Sequence, residues 1–131
     1  MARAYHVDVA RHVAGVDAKW IDNMLSHFEL PGVAGGRQGT PRRITELGIA
    51  HIVLVRRLSD VLGVRIGEAV WLSQRLLSST APVEVDLGVE VRVDRTLFLA
   101  KITRDIANAA EAIVPARRGR PATAGGTNSG R

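Results

Sequence analysis

Hydrophobic positions divide the chain into six patterned segments. In "VDVARHVA" (Val7 to Ala14) the residues Val9, Ala10, Val13 and Ala14 fall on one stripe of period 3.6, which predicts a short helix. Gly15 and Val16 interrupt it. Asp17 stands where an N-cap belongs, and "AKWIDNMLSHF" follows with Ile21, Met24, Leu25 and Phe28 in register. Burying that stripe leaves Ala18, Lys19, Trp20, Asp22 and Asn23 outward. Two short helices joined by a tight glycine turn outline a helix-turn-helix. Thr45 then caps a long helix, "ELGIAHIVLVRRLSDVL", which Gly63 ends, and "RIGEAVWLSQRLLSS" carries a fourth apolar stripe on which Trp71 is expected to be packed. After Ser79 the period falls to two. Val83, Val85, Leu87, Val89, Val91 and Val93 alternate with Glu84, Asp86, Glu90 and Arg92, the pattern of a half-buried strand, or of a hairpin bending at Asp86-Leu87-Gly88. The uninterrupted alternation favours one long strand. Asp94 caps a last helix with Leu97, Phe98, Ile102, Ile106, Ala109, Ala110 and Ile113 along one face, and Val114-Pro115 should end it.

Between the second and third helices lies "LPGVAGGRQGTPRRIT", with four glycines, two prolines and three arginines. A solvated linker and a loop built to touch phosphates both fit such a composition. A nucleotide-cradling loop fits poorly, because GxxxxGK[ST] needs a lysine that this stretch lacks.

The order helix, turn, helix, Gly/Arg loop, long helix, glycine break, helix resembles the winged helix-turn-helix of the MerR superfamily of bacterial DNA-binding proteins. The resemblance rests on "VARHVAGVDAKWIDNML", on "GGRQGTPRRIT", and on "VRRLSDVLGVRIGEAV", and it covers residues 5 to 78. The second helix reads "WIDNMLSHF" where the family has an aromatic-rich Arg-Tyr-Tyr-Glu run. The resemblance implies that the loop is a β-hairpin wing, with Arg37, Gln38, Arg42 and Arg43 directed towards the sugar–phosphate backbone. Phosphate contacts need donors and close backbone approach, which suits a stretch rich in both Gly and Arg. The second helix would then read bases through Lys19, suited to guanine O6/N7, and Asn23, suited to the adenine edge, with Arg3 and Arg11 as further candidates. Trp20 could brace the wing, meet the DNA backbone or touch a partner. Asp22 could accept from cytosine N4 or repel phosphate.

Charge is distributed in keeping with a polyanionic partner. Residues 1 to 57 carry +3, residues 58 to 114 carry −2, and the last seventeen carry +4, within a net charge of +5. The tail "PARRGRPATAGGTNSGR" has almost no apolar content and is expected to be disordered. Its "RRGRP" resembles the core of an AT-hook, in which Arg118 and Arg120, preceded here by Arg117, would enter a narrow minor groove. A generic basic tail is the alternative.

Several classes of function drop out. The chain has no cysteine, which removes disulfides, thiolate metal sites and a catalytic Cys, and its four histidines lack metal-ligand spacing. Glu84 with Asp86, and Asp94 with Asp105, sit within amphipathic patterns. Ser78 and Ser79 have no relay partner. No catalytic residue, metal or cofactor is expected. No apolar run approaches a membrane span, and the first residues lack the apolar stretch of a signal peptide, so a cytoplasmic protein is expected.

Taken together the sequence predicts a mainly α chain in three parts: a winged helix-turn-helix over 1–79, a strand-helix segment over 80–114, and a basic tail over 115–131. The strand and last helix offer an apolar face beyond four helices that can already satisfy one another. Val89, Val91, Val93, Phe98, Ile102 and Ile106 are therefore expected to hold two chains together, with packing on the same chain as the alternative. MerR-type proteins dimerise through a C-terminal helix, which the resemblance implies here too. The function expected is a homodimeric, sequence-specific regulator of transcription bound to double-stranded DNA. Its rivals are a phage-type excisionase or architectural factor, and an antitoxin or adaptor binding a partner protein through its C-terminal segment.

Overall fold

Local capping places the first three helices where the sequence puts them, and the fourth starts without a side-chain cap. A computed structural model describes residues 3–36 and 39–118, with side chains described as far as Ile113. Helix α1 (Val7–Ala14) begins at His6, whose Nδ1 accepts from the Asp8 amide at 3.1 Å, and ends at Gly15 in the left-handed region. Asp17 caps α2 (Ala18–His27) by accepting from the Trp20 amide at 2.8 Å. Thr45 does the same for α3 (Glu46–Leu62), and Gly63 closes it before α4 (Ile66–Ser78).

Three short strands join this helical frame. They are β1 (Ala4–Tyr5), β2 (Val33–Ala34) and β3 (Arg43–Thr45), arranged antiparallel in the order β1-β3-β2. Ile44, at the centre of the sheet, is completely buried. Glycine is required at several places in the intervening loop, and at Gly32 the reason is the start of α3. Gly32 has φ +85°, and a Cβ there would stand 2.4 Å from Thr45 Oγ1 and 2.6 Å from the Gly48 amide. Its carbonyl accepts from the Thr45 amide at 2.8 Å, so the loop is clamped to the start of α3.

Helix α3 is the centre of the core. Ile49, Ile52 and Val55 are completely buried, and α1, α4 and the last helix all pack on α3. One polar pair lies inside. Ser73 Oγ donates to the Val70 carbonyl at 2.9 Å, which leaves its lone pairs to accept from His51 Nδ1 at 3.3 Å. This bond places a proton on Nδ1 of the imidazole. Burial lowers its pKa from 6.5 to about 4.

The second half departs from the sequence-based expectation in four respects. The alternating run is a hairpin, β4 (Val83–Asp86) and β5 (Val89–Val91), not one long strand. Asp86 Oδ1 accepts from the Leu87 amide at 2.7 Å and Gly88 adopts φ +74°, which together turn the chain. A period of two says nothing about such a turn, because both arms of a hairpin share it. Helix α5 (Arg95–Arg118) starts as expected, with Asp94 Oδ1 accepting from the Leu97 amide at 3.0 Å, but it runs on past Pro115. Proline has no amide to give the Glu111 carbonyl, yet its fixed φ is helical, so one missing bond does not stop the helix.

The face of α5 expected to hold a second chain is largely spent within the first. Ile102 and Ile106 are 1% and 2% exposed, packed with Ala109 where α5 lies across α1 and α3, and Phe98 is half-buried against the same core. Thr103 Oγ1 also hydrogen-bonds Glu46 Oε2 across to α3. The four-helix frame leaves a seam along α1 and α3 that needs this apolar stripe. Trp71, conversely, is 52% exposed beneath the Arg75 guanidinium, because the buried face of α4 is made by Ala69, Val70, Leu72, Ser73, Leu76 and Leu77.

Two outcomes test this packing. Ile102→Ala should lower the unfolding free energy by about 2–5 kcal/mol at every protein concentration, measured by denaturant titration, since the side chain fills the protomer's own core. For His51, the unfolded chain takes up a proton below about pH 6.5 and the folded chain only near 4. Its neutral burial therefore contributes fully above pH 6.5 and is lost as pH falls towards 4. The melting temperature of the natural protein should drop faster than that of His51→Gln between pH 7 and 4.5.

Candidate nucleic-acid interface

The outward surface of α2 and the loop before α3 face one another across a cleft. The cleft holds about 470 Å³ and is lined by His6, Ala18, Lys19, Asp22, Thr40 and Arg42, among others. It exists because Ile21 and Met24 are drawn into the core, which turns the opposite face of α2 to solvent. Lys19 and Asn23 both lie on that face and are exposed. The Asn23 backbone carbonyl accepts from Ser26 Oγ at 2.8 Å, and its side-chain amide has no hydrogen-bond partner among the described residues.

Arg42 and Asp22, which both line the cleft, form an ion pair across it. The Arg42 side chain is only 16% exposed and lies against Gly36, where a Cβ would come within 2.8 Å of Nε. Arg42 was expected to reach out to phosphate; it braces the loop against α2 instead. Through this pair the Asp22 charge is answered within the chain. The two residues are twenty positions apart and on different elements, so no periodicity could have paired them.

Trp20 is likewise turned to structure. Its ring is half-buried against the core, with the Arg56 guanidinium 5.8 Å from the ring centroid, and Arg56 Nε in turn bonds Asp60 Oδ2 at 3.0 Å. Arg43 is exposed on β3, donating from Nη2 to the Ala4 carbonyl at 3.2 Å. That one bond orients the guanidinium and leaves its other donors to solvent. Arg3 lies over the Tyr5 ring at 5.0 Å, and Arg11 lies 3.7 Å from Asp8. Both are committed locally, whereas Lys19 has no partner among the described residues.

The remaining basic candidates divide by position. Arg37 and Gln38 lie outside the described residues, as does Arg120. Arg117 and Arg118 fall in the last turn of α5 rather than beyond the helix. Among the described residues, no helix is long and apolar enough to cross a membrane. The chain matches no family model, no curated protein and no solved structure.

Proposed function

We propose that this chain is a sequence-specific regulator of transcription that binds double-stranded DNA, with α2 in the major groove and the loop between β2 and β3 as a MerR-like wing on the backbone. The observation that carries the reading is the pairing of an exposed Lys19–Asn23 face with a cleft whose far wall is held in place by Arg42 and Asp22. A preorganised cleft of that kind lets a phosphate strand pass between helix and wing while base edges are met by α2. Net charge of +5, with +3 in residues 1 to 57, supports a polyanionic partner.

Within this reading the residues have separate tasks. Asn23 contacts a base edge bidentately and Lys19 donates to guanine or to a flanking phosphate. Arg43 supplies positive charge to the backbone without regard to sequence, and Arg37 and Gln38 add donors from the same stretch of chain. Arg42 and Trp20 position these groups and touch no DNA.

Selection from random duplexes by the full chain should recover a defined half-site. Asn23→Ala should weaken binding to it by about 1–3 kcal/mol and relax preference at one base position. Arg43→Ala should weaken all duplexes alike and reduce the salt dependence of binding by about one phosphate contact. Recovery of no enriched sequence, with affinity as salt-dependent as for any duplex, would leave only non-specific charge attraction and overturn the regulator.

A further inference from the structure

On the side of α4 where Trp71 lies, the hairpin β4–β5 stands away from the helices and leaves a groove of about 860 Å³. Its walls are Leu62, Trp71, Val85 and Val89. Of the eight large hydrophobic side chains exposed among the described residues, these four and Leu87 at the hairpin's tip make five, and Leu87 is 92% exposed. Five such side chains present apolar surface on the order of several hundred Å², the size of the largest patches tolerated on monomers.

The hairpin itself is poorly provided for. It has two strands only, Val83 is its one buried residue, and Glu84 stands directly opposite Glu90. A two-stranded ribbon is marginal in water, and like charges facing across it weaken it further. Something else must cover it.

We propose that the groove takes the hairpin tip of a second copy of this chain, in a two-fold exchange in which each Leu87 enters between Trp71 and the hairpin of its partner. Three features favour a second copy over another occupant. The chain carries both an unfilled groove and an unaccommodated apolar knob beside it, and a two-fold axis satisfies both at once. The rim is acidic on balance, with Glu68, Glu84 and Glu90 against Arg92 alone, which disfavours nucleic acid as the occupant. The apolar area is a large share of the roughly 800 Å² that each partner contributes to a standard interface. This surface replaces the buried Ile102 and Ile106 face of α5, and of the aliphatic residues first assigned to pairing it keeps Val89 and Val91.

The pairing is read without DNA, so it stands or falls apart from the regulator proposed above. Sedimentation of the full chain at tens of micromolar should give twice its 14.1 kDa mass. Leu87→Asp and Trp71→Asp should each shift the dimer–monomer midpoint upward by about tenfold or more while leaving the far-ultraviolet circular dichroism unchanged; both side chains are exposed within the protomer. Leu97→Asp, 70% exposed but on α5 away from the groove, should leave the dimer intact. A monomeric parent chain overturns the proposal. So does a dimer that survives both groove substitutions, or one that only Leu97→Asp dissociates.

Discussion

The burial of α3 is the constraint on which the other elements depend. Its sequence presents apolar or small residues around most of its circumference, from Gly48 through Leu58, so it cannot sit at a surface. Helices α1, α4 and α5 and the strand β3 each cover part of it, and each is positioned by the part it covers. Even the polar His51 is admitted on terms that suit a buried helix, neutral and bonded to Ser73 of α4. Removing one of these covers would expose a face that no other element can reach.

From that post the candidate interface is built outward through two junctions. At the first, the Gly32 carbonyl, the Thr45 side chain and the Gly48 amide bind the loop to the start of α3, so the loop leaves the core at a set angle. At the second, Arg42 reaches Asp22 and ties the same loop to α2. The glycines and arginines of this segment therefore divide between two purposes. Gly32 and Arg42 serve the fold, while Arg43 is turned to solvent for the most part. A loop tied down at two points in this way needs little rearrangement to receive a ligand, and preorganisation lowers the ordering cost of binding.

The C-terminal half shows how competing demands on apolar residues are resolved. Two amphipathic elements follow the helical frame, and each could cover the frame or meet another molecule. Helix α5 closes the seam between α1 and α3, which consumes Ile102, Ile106 and Ala109. The hairpin anchors only through Val83 and its half-buried valines, and its remaining aliphatic groups stay in water with Trp71 and Leu62. The apolar surplus of the chain is thus gathered at the hairpin rather than along the last helix.

What the sequence by itself determined is the set of local choices made within a few residues. The caps at Asp17, Thr45 and Asp94, the glycine stops at Gly15 and Gly63, and the buried stripes of α1 to α4 all follow from side chains acting on their own turn of backbone, which periodicity and cap chemistry report directly. The outward setting of Lys19 and Asn23 follows from the same periodicity. Tertiary structure alone decided which apolar face is spent inside the chain and which is left over, because a stripe on α5 looks the same whether α1 or a second molecule will cover it. It also decided that Arg42 braces while Arg43 is offered to solvent, since the two are neighbours in one basic run and only the position of Asp22 on another element distinguishes them. The hairpin turn at Leu87 belongs to the same class: alternation is identical in one long strand and in two short ones, and what separates them is whether the returning arm finds a partner in space.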